Sequence, residues 1–111
     1  MGDIFKALAD PTRRAILDEL TDRNGQTLFE ICARLATKHQ LASSRQAISQ
    51  HLDVLEQAGL VRSERRGRCK FHEIDTRPLA HVFARWLQDD IQPVTAGSLG
   101  EEMPAVAGNS R

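Results

Sequence analysis

Residues 43–74 read SSRQAISQHLDVLEQAGLVRSERRGRCKFHEI, and a change of period inside this stretch decides the fold. Ile48, Leu52 and Leu55 stand four and three apart, the spacing of one buried helix face, while Arg45, Gln46, Ser49, Gln50 and Asp53 fall on or near the opposite side. That outer side is polar and nearly free of acids. Ser43 followed three residues later by Gln46 has the form of a capping box, and Ser44 is an equally good cap. Gly59, just after Ala58, is suited to a left-handed helix stop. Beyond it two short runs flank the basic, Gly-containing turn Arg65-Arg66-Gly67-Arg68 and predict a β-hairpin.

Working outward, three shorter helices precede this stretch. Ile4, Phe5 and Leu8 share one face of the first. Asp10 and Pro11 then restart the chain, the acid as a cap and the proline in a first turn, where a missing N–H costs nothing. Ala15, Ile16, Leu17 and Leu20 supply the buried side of the second helix, which Asn24-Gly25 ends. Leu28, Ile31, Cys32 and Leu35 mark the third, which gives way at residues 38–40 to a polar connection. Downstream of the hairpin, residues 76–90 return to helical spacing, with Leu79, Val82, Phe83, Trp86 and Leu87 on one broad apolar face. From Gln92 the glycines and prolines leave no period. The expected organisation is one domain over residues 1–91 and a flexible tail over 92–111.

The 111 residues balance 15 basic against 15 acidic side chains, but the distribution matters more than the sum. Residues 1–30, 31–70 and 71–111 carry local balances of −2, +5 and −3, so the positive charge sits where the polar-faced helix and the hairpin are. No apolar run approaches the roughly 20 residues that span a bilayer, and the N-terminus has an acid where a signal peptide has its basic region. A cytoplasmic protein without a membrane partner is expected. Two cysteines, Cys32 and Cys69, are too few for a disulfide framework and too far apart for a close metal pair.

Helices, a polar-faced fourth helix, a basic hairpin and a closing helix predict a mainly α fold with a small β-hairpin, the winged helix-turn-helix. In that arrangement the fourth helix enters a major groove while Arg65, Arg66 and Arg68 reach phosphates or the minor groove. Gln46, Ser49, Gln50 and Arg45 offer donors and acceptors for base edges. Ser44 and His51, on the same element, complete the candidate DNA surface. Ile4, Phe5 and Leu8 together with Val82, Phe83, Trp86 and Leu87 are more apolar surface than so small a domain buries alone, which predicts pairing of two copies. The expected partner is double-stranded DNA carrying an imperfect inverted repeat.

The blocks Ala9-Asp10-Pro11-Thr12-Arg13-Arg14-Ala15-Ile16-Leu17, Ile48-Ser49-Gln50-His51-Leu52-Asp53-Val54-Leu55 and Ala58-Gly59-Leu60-Val61 resemble successive motifs of the ArsR family of bacterial winged-helix repressors, over about residues 3–87. The resemblance implies a homodimer built from the first and last helices, the fourth helix as DNA reader, and binding that usually blocks transcription. Two departures stand out. The connection over residues 36–44 is several residues longer than the tight turn usual in the family. Metal-sensing members place a Cys-x-Cys pair where Thr27 and Phe29 stand here, and His81 and Arg77 do not reproduce the ligand pattern of zinc-sensing members. No metal and no cofactor is expected, and the inducer is not specified by the sequence.

Catalysis is not expected, since His39, His51, His72 and His81 assemble with no nucleophile and orienting acid. Cys32 lies on the apolar side of its helix and reads as a small core residue. Cys69 stands between Arg68 and Lys70, a setting that favours a thiolate, so a redox-sensing regulator remains an alternative. A winged-helix protein-interaction module is another.

Overall fold

The computed structural model describes residues 3–87. In chain order it contains α1 (Ile4–Ala9), α2 (Pro11–Asp22), α3 (Leu28–Lys38), α4 (Arg45–Gln57), β1 (Val61–Arg66), β2 (Cys69–Ile74) and α5 (Arg77–Leu87). This is the expected winged helix-turn-helix, mainly α with one antiparallel hairpin. The chain divides between Leu79 and Ala80 into two units. The expected boundary at residues 91/92 and the tail over 92–111 lie outside the described residues.

The core of the first unit is built from one stripe on each helix. Ile16 and Leu20 of α2, Ile31 and Leu35 of α3, Ile48 and Leu55 of α4, and Leu60 at the entry to the hairpin are fully buried. Ile4, Leu8, Cys32, Leu41 and Leu79 pack partly buried against them, so Cys32 takes the core-flanking place its spacing predicts. Burial also pushes the Cys32 thiol above its ordinary value, which keeps it protonated and inert.

Residues 10–14 form a corner that explains their own sequence. Asp10 caps α2 by accepting from the Thr12 N–H at 2.9 Å, and Pro11 occupies the first turn. Arg13 folds back and donates to the carbonyls of Ala7 at 2.8 Å and Lys6 at 3.0 Å, while Arg14 donates to that of Leu8 at 2.7 Å. Two guanidinium groups thus satisfy carbonyls that the end of α1 leaves without intrahelical partners, and they bring positive charge to its negative pole.

The helix-turn-helix pair is set by caps at both starts. Thr27 and Glu30 form a reciprocal capping box on α3, a Thr-x-x-Glu pattern present in the sequence. Ser44, rather than Ser43, caps α4 by accepting from the Ala47 N–H at 3.1 Å. The connection between these helices is shorter than it reads, because α3 absorbs residues 36–38. Gln40 then adopts a left-handed φ of 54°, Leu41 N–H closes on the Leu35 carbonyl at 2.9 Å, and the Leu41 side chain returns to the core.

The hairpin turns in two residues, since Arg66 pairs with Cys69 across Gly67-Arg68. Gly67, at φ 63°, supplies the left-handed residue such a turn needs. This corrects the placement of Arg65 and Arg66, which belong to strand β1 and not to the turn. A short third line of pairing ties the hairpin to the helices, with His72 and Gln26 exchanging backbone hydrogen bonds at 3.1 and 2.7 Å.

In α5 the Asp75 carboxylate accepts from the Arg77 backbone N–H at 3.0 Å, and it binds the Arg77 guanidinium at 2.9 and 2.6 Å. Those bonds hold the Asp75 carboxyl far below the ordinary carboxylate range. The helix is described as far as Leu87, so residues 88–90 of the expected span lie outside the described residues. Val82 and Phe83 are half-buried, whereas Trp86 and Leu87 are 52% and 48% exposed.

Candidate nucleic-acid interface

Helix α4 divides its candidate residues between two surroundings. Arg45, Gln46 and Gln50 are exposed on the side away from Ile48, Leu52 and Leu55. Ser44 spends its hydroxyl on the cap and so positions the helix start. Ser49 is half-buried and lines a groove shared with β2. His51 is turned toward the α1–α2 corner, its Nδ1 lying 3.2 Å from Arg13 Nη1 and 3.6 Å from Asp10 Oδ2. A guanidinium only donates, so Nδ1 accepts and the ring proton of the neutral imidazole sits on Nε2. His51 therefore joins α4 to the corner formed by residues 10–14.

The hairpin sorts its charges by face. Residues directly opposite each other share a face, so Val61, Ser63 and Arg65 lie with Lys70, His72 and Ile74 on one side. Its inner part is largely buried, and its outer end is the cation pair Arg65 and Lys70. The other side holds Arg62, Glu64 and Arg66 with Cys69, Phe71 and Glu73. There the charges cancel. Arg62 meets Glu73 at 3.3 Å, and Arg66 meets Glu64 at 3.8 Å and Glu73 at 3.9 Å. The Arg66 guanidinium also lies 4.2 Å above the Phe71 ring. Among the described residues no acid pairs with Arg65, Arg68 or Lys70, which are all exposed. Lys70, exposed opposite Arg65, is a cation that the sequence analysis does not single out. The alternation of strand residues was the signal that would have found it.

A partly buried polar chain links the hairpin to α4. Ser63 Oγ donates to the Glu56 carboxylate of α4 and lies 3.1 Å from His72 Nδ1. The hydroxyl has one proton, given to an acceptor-only carboxylate, so His72 Nδ1 donates and its Nε2 keeps a lone pair. Burial foremost, and the charge of Lys70 next, push the His72 imidazole below its ordinary value, so it is neutral at neutral pH. The Glu19 carboxylate of α2, wholly buried, is bound by Arg34 and approached by His39 at 3.3 Å and Lys38 at 3.6 Å. Asp22 joins through Arg34 at 2.9 Å and Lys38 at 2.8 Å, and the cluster locks α2 to α3.

Between α3, α4 and β2 runs a groove of about 360 Å³, lined by Thr27, Leu28, Phe29, Ser49, Leu52, Cys69, Lys70 and His72. Phe29 stands 70% exposed at its edge, and Cys69 is exposed on its rim. Thr27 and Phe29 occupy the positions compared above with a thiolate pair, and the Thr27 hydroxyl is engaged in the α3 cap. Among the described residues no group of three or more His, Cys, Asp or Glu side chains is arranged to hold a metal ion. None of the described helices is long and apolar enough to cross a membrane.

A family described as a helix-turn-helix domain matches residues 8–64. The chain is 51% identical over 85 residues, 77% of its length and 92% of the relative's, to the uncharacterised HTH-type transcriptional regulator YuzN of Bacillus subtilis. It is 34% identical over 79 residues, 71% of this chain and 80% of the relative, to the transcriptional repressor SdpR of the same organism. Among solved structures, an ArsR-like transcriptional regulator from Rhodococcus sp. RHA1 superimposes with a TM-score of 0.60 at 38% identity, covering 78% of this chain and 74% of that one. The homodimeric winged helix-turn-helix DNA-binding domain of a Mycobacterium bovis protein does so with a TM-score of 0.57 at 26% identity, covering 79% and 77%.

Proposed function

The chain belongs to the ArsR family of winged helix-turn-helix transcriptional regulators, and from that premise we propose that it is a homodimeric repressor reading an imperfect inverted repeat in duplex DNA. The family is one of regulators and not of enzymes. The observation that carries the finer reading is two surfaces on elements that share a groove, where Ser49 of α4 and Lys70 of β2 both line it. These are the exposed Arg45, Gln46 and Gln50 of a rigid, capped helix, and the acid-free hairpin end with Arg65, Arg68 and Lys70. A rigid polar helix face suits base edges, and cations without acid partners suit phosphate.

Repression is supported by the likeness to SdpR, a transcriptional repressor, and dimerisation by the homodimeric Mycobacterium bovis domain. The interface we assign is Ile4, Phe5 and Leu8 of α1 with Val82, Phe83, Trp86 and Leu87 of α5. The place of action is then the cytoplasm.

Footprinting on the DNA upstream of the protein's own gene and its neighbours tests this reading. A protected inverted repeat is expected, with half-site centres roughly 10 base pairs apart or a multiple of that. Binding to random duplex that hardly changes with salt, or not at all, and no protected site would overturn it.

A further inference from the structure

The groove between the reading helix and the hairpin has a chemistry of its own. Its walls are apolar at Leu28, Phe29 and Leu52, no acid lines it, and two groups of opposite hydrogen-bonding sense face it from one strand. Lys70 brings an ammonium without an ion pair. His72, only 6% exposed, brings Nε2, which the Glu56–Ser63–His72 chain leaves as a bare acceptor with no hydrogen-bond partner among the described residues. The two residues are alternate members of β2 on one face, so their backbone sites are about 7 Å apart.

We propose that this groove is an effector site for a small aromatic hydroxy acid. The carboxylate meets Lys70, the hydroxyl donates to His72 Nε2, and the ring lies against Phe29 and Leu52. The volume of about 360 Å³ is at the small end of ligand cavities, which suits a one-ring acid. Lys70 lines the groove and also belongs to the surface assigned to DNA, so a ligand here occupies charge that duplex DNA needs. Binding therefore releases DNA. This regulatory half rests on the DNA-binding reading above, whereas the binding half stands without it.

The test is an NMR titration of the full chain with 4-hydroxybenzoate, benzoate and 4-hydroxybenzyl alcohol, beside a random-duplex titration at low salt. The expected amide shifts cluster at Phe29, Ser49, Lys70 and His72. The hydroxy acid binds about fivefold tighter than benzoate, the value of one hydrogen bond, and the uncharged alcohol binds weakest. Lys70→Met, an exposed change unlinked to folding, abolishes the preference of acid over alcohol. Scattered or absent shifts, equal affinity for the two acids, or an unaltered preference in Lys70→Met would overturn the site. If the probe binds but leaves duplex affinity unchanged, the regulatory half is wrong. Localised probe binding by a protein that binds no duplex even without probe would sink the DNA reading and leave the site standing. Salt-sensitive duplex binding without probe shifts would do the reverse.

Discussion

The carboxylate of Glu19 on α2, with none of its side chain exposed, is hydrogen-bonded by the guanidinium of Arg34 on α3. Burial on its own raises the Glu19 carboxyl. The hydrogen bonds from Arg34 and His39 and the charges of Arg34 and Lys38 together outweigh it, and the net displacement is below the ordinary 4.5. A carboxyl depressed in the folded state contributes stability that is complete above its unfolded value and is lost as pH falls through its folded one. His72, depressed from 6.5 by burial, works in the same direction at higher pH. Thermal unfolding followed by circular dichroism should show stability declining below about pH 6.5 and again below about pH 4.5. Glu19→Gln should cost about 2 kcal/mol at neutral pH and make the lower decline shallower, the remainder coming from the depressed carboxyls of Asp22 and Asp75, whereas an unchanged acid limb would show that Glu19 contributes nothing to it.

The bend between α3 and α4 gives a second prediction. Gln40 holds a left-handed φ of 54°, a region that costs side chains with a Cβ about 1 kcal/mol or more and β-branched ones most. Gln40→Gly should be neutral or mildly stabilising, and Gln40→Val should destabilise by about 1 kcal/mol relative to the wild type. Urea unfolding of the three proteins decides it. Equal stability of the Gly and Val variants would mean that this backbone is not held left-handed.

How much was legible in the sequence follows from the range over which each interaction acts. Caps and periods are local, so Asp10 and Pro11, the stop at Gly59, the stripe Ile48, Leu52, Leu55 and the hairpin could be read directly. The folding back of Arg13 and Arg14 onto α1, the Glu56–Ser63–His72 chain and the Gln26–His72 bridge join residues 6 to 46 apart, which no period encodes. The sequence places Arg66 among the phosphate-reaching cations because residues 65–68 read as one basic turn, whereas the turn itself is only Gly67-Arg68. Once Arg66 pairs with Cys69, its guanidinium falls on the face of Glu64 and Glu73.

That face assignment separates the hairpin cations in a third prediction. Lys70→Ala should reduce the slope of log affinity against log salt by about one on random duplex, as the loss of one phosphate contact does. Arg66→Ala should change it much less, because Glu64 and Glu73 already neutralise the guanidinium. A loss of slope for Arg66→Ala equal to that for Lys70→Ala would show that the charges are not sorted by face.

Dimerisation can be tested without any DNA. Phe5 is 51% exposed on α1, and Trp86 and Leu87 are about half exposed on α5, large apolar areas to leave in water for a domain of this size. Trp86→Ala should shift sedimentation toward the monomer and weaken operator binding with it. A wild-type protein that sediments as a stable monomer at micromolar concentration would refute the assigned interface.

The last prediction concerns base reading by α4. Gln50 projects from a helix whose start is locked by Ser44, whose core side is anchored by Ile48, Leu52 and Leu55, and whose flank is tied to α2 through His51 and Arg13. A side chain held on so rigid a support can present its amide to an adenine edge in fixed geometry, whereas a hairpin cation meets phosphate wherever it lies. Gln50→Ala should therefore cost about 1 to 3 kcal/mol on the operator and little on random duplex, leaving the salt slope unchanged. His51→Ala should act differently. It removes the acceptor for Arg13 without touching the outer face, so it should weaken folding stability and lower affinity for all duplexes in proportion to the folded fraction. Paired salt titrations on operator and scrambled duplex, with unfolding curves for both variants, separate the two roles. Equal losses on both duplexes for Gln50→Ala would show that α4 positions the protein on DNA without reading its sequence.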